Sequence, residues 1–96
     1  MTENSRLVWD YVKENDGKDI TAKDIVAATG LNIRTVTGVI TMSFVRHKDK
    51  DKNIVPLMVR VPAEIVNPET GLHDKVSFIR LTDEGRAYDP DAVDAE

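Results

Sequence analysis

Residues 21–45, TAKDIVAATGLNIRTVTGVITMSFV, decide the fold. Thr21 opens a helix: its hydroxyl can accept from the backbone three residues on, and Asp24 stands at the return position of a capping box. Ala22, Ile25, Val26 and Ala28 give that helix an apolar side about two turns long, and Gly30 supplies the left-handed residue that ends it. Leu31 is the buried plug of a tight turn. Asn32 then caps a further helix that runs to about Val45. Ile33, Val36, Val39, Ile40, Ser43 and Phe44 fall on one side of it, and Arg34, Thr35, Gly38, Thr41, Met42 and Val45 on the other. A glycine inside a helix costs roughly 1 kcal/mol relative to alanine. Gly38 therefore asks for a close approach of another backbone, and a neighbouring helix or DNA would each supply one.

Working outward, residues 6–14 form a first amphipathic helix, with Leu7, Val8, Tyr11 and Val12 in one arc, Ser5 as N-cap and Asn15-Asp16-Gly17 as the stop. Trp9, at the edge of the arc, reads as a packing residue. Residues 19–21 can add a short strand. After the long helix, residues 46–53, RHKDKDKN, make an alternating charged loop with no part in the core. Leu57, Val59, Val61 and Ile65 then repeat every second position, the pattern of a half-buried strand. Pro62 cannot donate a ladder hydrogen bond, so that strand has a free edge or a bulge. Asn67-Pro68-Glu69-Thr70-Gly71 is a turn, and residues 75–81, KVSFIRL, return as a second strand. A lone hairpin is marginal in water, so its apolar face is expected to cover the helices.

The chain is 96 residues and 10.7 kDa, which fits one α+β domain over residues 1–88 followed by an acidic, disordered tail, DPDAVDAE, at 89–96. No apolar run approaches the ~20 residues of a membrane span, and the N-terminus lacks a leader's basic start, so a cytoplasmic protein is expected with no membrane partner. There is no cysteine, and His47 and His73 are too far apart in sequence to suggest a metal site. No metal or cofactor is implied. The formal net charge of −4 argues against indiscriminate nucleic-acid binding. Yet residues 25–62 carry six basic and two acidic side chains, whereas residues 63–96 carry three and nine. A positive centre between negative ends suits a chain that offers one face to an anion; unevenly distributed solvated charge is the other reading.

The order of elements and the pattern of Ile25-Val26, Gly30-Leu31-Asn32 and Thr35-Val36-Thr37 resemble the helix-turn-helix of bacterial regulators. Leu81-Thr82-Asp83-Glu84-Gly85-Arg86 further resembles the LT-x-x-GR segment that closes the wing in MarR-like and PadR-like winged helices. The resemblance covers residues 5–86 and implies a three-helix bundle with a C-terminal two-stranded wing. It also implies double-stranded DNA binding by a small bacterial or phage transcription regulator. Two departures stand out. Asp89-Pro90 stops any helix where MarR-like proteins continue into dimerisation helices, and the wing tip carries Glu69 and Asp74 where DNA-binding wings usually carry Arg or Lys.

On the DNA-binding reading, Asn32, Arg34, Thr35, Thr37 and Gly38 line the recognition helix, with Arg34 carrying most of the contact. Arg46, His47, Lys48, Lys50 and Lys52 would hold flanking phosphates, and the acidic tail would oppose binding. The other class is a protein-interaction module docking through an apolar patch of Met42, Val45 and Met58. A homodimer is expected, through the first helix near Trp9 or the exposed apolar side of the long helix. No nucleophile elbow, phosphate loop or HExxH pattern is present, so no enzyme is expected.

Overall fold

A computed structural model describes residues 1–90 as an α+β arrangement in the order α1 (Glu3–Glu14), α2 (Ala22–Thr29), α3 (Ile33–Val39), a π-helical segment (Ile40–Val45), β1 (Met58–Val66), β2 (His73–Leu81) and α4 (Asp83–Ala87). The expected tail lies mostly outside the described residues. Among those residues no single helix is long and apolar enough to cross a membrane.

Local chemistry sets the helix ends. Thr21 caps α2 in a complete capping box with Asp24, and Gly30 closes it at φ 76°. Asn32 Oδ1 accepts from the backbone N–H groups of Arg34 (2.7 Å) and Thr35 (3.3 Å) to open α3. At α1 the expected cap is corrected. Thr2, not Ser5, accepts from the backbone, which frees Ser5 to turn inward and share a 3.3 Å hydroxyl contact with Ser43. The buried arc of α1 is rotated accordingly: Val8, Trp9 and Val12 are buried, while Leu7 is exposed. Trp9 packs against Phe44 and Tyr88, each with ring centroids 5.5 Å apart.

The long helix continues to Val45, but it widens at Ile40, and Arg46 N–H bonds back five residues to Thr41 O. Ile40 and Phe44 both reach the core, as their shared helix side predicts, whereas Val45, expected on the outer side, is half-buried. The core joins these side chains to Ile20, Ile25, Val36, Leu57, Met58, Ile79 and Leu81.

β1 and β2 pair antiparallel from Met58↔Leu81 to Val66↔His73. The ladder passes Pro62↔Ser77 without a bulge. Ile79 N–H points away from β1, to Ile20 O, so by alternation the proline nitrogen also faces outward, where no ladder donor is needed. That bond to Ile20 is all that forms of the expected strand at residues 19–21; the sheet is two-stranded.

The expected phase of β1 is overturned. Met58 and Leu81, with Ile79 in the next row, face the helices and are buried, so Val59, Val61 and Ile65 lie on the opposite face and stay exposed. Leu57 is buried because it precedes the strand, held by its N–H to Phe44 O. The apolar face of the hairpin therefore does not cover the helices. The hairpin projects instead, and the described chain measures 51 × 25 × 21 Å.

Each marked residue of LTDEGR has a task. Leu81 is core. Thr82 caps α4, accepting from Gly85 N–H (3.0 Å) and donating its hydroxyl to Pro56 O (2.6 Å). Gly85 is buried against the Leu57 carbonyl, and Arg86 reaches Asp16 (3.0 Å) and Asp83 (3.1 Å). The Arg86 guanidinium, by hydrogen bonding to Asp16, holds that carboxyl below its ordinary value of 3.8.

Candidate nucleic-acid interface

α2 and the helical run Ile33–Val45 meet at 116° across Gly30, Leu31 and Asn32. Because Ile25, Val36 and Ile40 are pinned in the core, Arg34, Thr37 and Gly38 are left on the outside. Arg34 makes no ion pair among the described residues. Thr35 is half-buried, and Asn32 is committed through its oxygen to the helix cap. A Cβ built on Gly38 meets nothing within 4 Å. Of the two reasons given for this glycine, a neighbouring helix of the same chain is thereby removed.

Arg60 completes this surface and was not singled out by the sequence. It lies on the helix-facing side of β1, opposite Ile79, and its guanidinium donates to Thr37 O (3.2 Å) and Thr41 Oγ1 (2.9 Å). Leu57 N–H meets Phe44 O and Arg60 meets Thr37, so β1 runs back along the helix toward the α3 N-terminus. The register places Lys75 on the same ribbon face as Arg60, two rows further from the body. Glu64 is its cross-strand neighbour, and Glu64 also lies 3.8 Å from His73. The only sequence signal for Arg60 was its place in the basic central segment.

The expected site thus divides. Arg34, Thr37 and Gly38 stand together near the start of α3. Arg46, Lys48, Lys50 and Lys52 are exposed on the loop that leaves the other end of the run, eleven residues beyond Arg34 or about 16 Å at the helical rise. That loop is ordered rather than merely solvated: Asp49 Oδ1 accepts from the backbone of Asp51 and Asn53, each at 2.9 Å, and Val55 N–H bonds to His47 O. His47 packs against Tyr88, with centroids 5.2 Å apart.

The apolar patch proposed from Met42, Val45 and Met58 does not form. Met42 is 67% exposed, Val45 is half-buried and Met58 is fully buried, because β1 turns its even-numbered residues to the core at the body end. Trp9 is likewise buried at 2% exposure and offers nothing to a dimer surface on α1. Among the described residues no cluster of potential metal ligands occurs. No family model, curated protein or solved structure matches the chain.

Proposed function

We propose that this chain is a winged-helix module that binds double-stranded DNA, as part of a transcription regulator, with α3 as its recognition helix. The observation that carries the reading is the 116° meeting of α2 and the following helix through a short glycine turn, within the range of helix-turn-helix pairs. It supports insertion of the outer face of α3 into a major groove. Arg34 then reaches base edges or phosphate, Gly38 lets the groove wall approach the helix backbone, and Arg60 neutralises phosphate beside Thr37 and Thr41. Lys75, opposite Glu64 on the same face of the hairpin, then reaches a phosphate farther along the backbone. The loop cations lie at the far end of the helix and add attraction at longer range.

Three phosphate contacts, from Arg34, Arg60 and Lys75, correspond to a slope of log K against log salt of about −3 for one subunit. Fluorescence anisotropy with labelled duplex fragments at low and moderate salt tests this. Arg34→Ala should weaken binding about tenfold. Gly38→Ala should also weaken it, although it leaves the fold intact. Absence of binding at low salt removes the reading. The alternative, a protein-interaction module without DNA binding, is favoured by the apolar outer face of the hairpin, and that result would return to it.

A further inference from the structure

The ladder register sorts the hairpin into two faces. One carries Met58, Leu81, Arg60 and Ile79 toward the helices. The other carries, row by row from the body outward, Val59 with Arg80, Val61 with Phe78, Ala63 with Val76, and Ile65 with Asp74. Val59 and Val61 are each 42% exposed and Ile65 45%. Six apolar side chains therefore form one continuous outer face, bounded by a cation at the body end and a carboxylate at the tip. Arg80 is fixed there by Asp19 and the Lys18 carbonyl, with its guanidinium carbon 5.9 Å from the Phe78 ring centre.

We propose that this face packs on the same face of a second copy, the two hairpins stacked head to tail. A twofold axis lying between the ribbons and across the strands superposes body end on tip. Arg80 then meets Asp74 of the partner subunit, Val59 meets the partner's Ile65, Phe78 lies over the partner's Val76 and Val61 over the partner's Ala63. Opposite charges coincide, and each larger side chain of the middle rows faces a smaller one, as stacked sheets require. A twofold axis along the strands instead puts Arg80 over Val59 and Asp74 over Ile65, burying both charges against apolar side chains.

The available area sets the strength. Seven residues per strand on two strands give a face of roughly 24 × 10 Å before side chains are counted. Stacking two such faces removes on the order of 900 Å² from water, below the size of stable complexes and typical of reversible ones. Association through strand edges is disfavoured on β1, where Pro62 presents no N–H. The inference does not rest on the DNA reading: the helices lie on the opposite face, so α3 stays open in the dimer.

Sedimentation velocity on the full chain, from micromolar to submillimolar concentration, tests it, with circular dichroism to verify folding. The wild type should pass from monomer to dimer across that range. Val61→Glu should stay monomeric. Asp74→Lys, at the exposed tip, should raise the dissociation constant about tenfold, since the contact occurs twice in a twofold dimer. Met42→Lys should leave association unchanged. A wild type that remains monomeric overturns the proposal, as does a Val61→Glu variant that associates like the wild type. Unchanged association of Asp74→Lys overturns the head-to-tail arrangement, and if Val61→Glu fails to fold, Asp74→Lys alone decides.

Discussion

Gly85→Ala should be the most damaging single-methyl change in the chain. A Cβ at this position falls inside the contact radius of the Leu57 carbonyl oxygen, with the carbonyl carbon at 3.0 Å and Leu81 Cδ2 at 3.2 Å. Backbone cannot rotate away as a side-chain end can, so α4 must retreat by about 1.5 Å to restore ordinary contact. That retreat strains the two bonds that seat α4 on the 56–57 segment, Thr82 N–H to Leu57 O (3.0 Å) and Thr82 Oγ1 to Pro56 O (2.6 Å). Overpacking of this kind costs about 1–3 kcal/mol, and each hydrogen bond lost about 1 kcal/mol more. The expected loss is therefore about 3–5 kcal/mol, a large share of the ~5–15 kcal/mol typical of a whole domain. In urea the midpoint should fall with little change in slope, and the thermal midpoint should drop by at least about 12 °C. Gly38→Ala is the internal control. Its Cβ enters open space in a helix, so it should stabilise by up to about 1 kcal/mol. If Gly85→Ala costs less than about 1 kcal/mol, the close approach of α4 to residue 57 is not what fixes that glycine.

Two further outcomes are expected. Met58→Ala should cost about 2–5 kcal/mol, and Met42→Ala close to nothing, in the same urea assay; equal effects would contradict the strand phase. Asp16→Asn should lower stability at neutral pH: a carboxyl whose folded pKa is depressed contributes above its unfolded value, near 3.8, and loses that contribution as pH falls through the folded value. Urea midpoints of the two proteins should therefore converge as pH drops below that region, and a constant gap would show that Arg86 does not act through the Asp16 charge.

What could be read from sequence was what is decided within a few residues. Thr21 with Asp24, Gly30, and Asn32 with Arg34 and Thr35 make their capping contacts inside one turn, so residue type and spacing suffice. The outward placement of Arg34 and Gly38 followed from the same helical period. The phase of β1 was not accessible in this way. Alternation shows that Val59, Val61 and Ile65 share a face, but which face meets the helices depends on Met58↔Leu81, residues 23 positions apart in the chain. Arg60 escaped for a similar reason, since its partners Thr37 and Thr41 lie on a helix it reaches only after the intervening loop. At α1, Thr2 and Ser5 are both N-cap types, and Ser is if anything the better one, so residue type does not pick out Thr2. The contact of Ser5 with Ser43, 38 residues away, accompanies the earlier start.

On the DNA-binding proposal, the pairing pattern of the arginines would reconcile a net charge of −4 with contact to an anion. Arg6 pairs with Asp10, Arg80 with Asp19, and Arg86 with Asp16 and Asp83. These cations serve the fold, and they occupy carboxylates of the acidic N-terminal and C-terminal thirds. Arg34 and Arg60 pair with no carboxylate among the described residues; Arg60 donates only to a carbonyl and a hydroxyl, neutral acceptors that fix its position and leave its charge uncompensated. The field near a surface depends on charges within about a Debye length, roughly 8 Å at physiological ionic strength, far more than on the sum over the molecule. The start of α3 and the adjoining stretch of β1 therefore form a local positive site on an acidic protein. On the DNA-binding proposal, a duplex would meet this site and, at the far end of the helix, the cationic loop around Arg46 and Lys48, while the arginines at Asp10, Asp16 and Asp19 are paired, which would favour one docking orientation over indiscriminate contact.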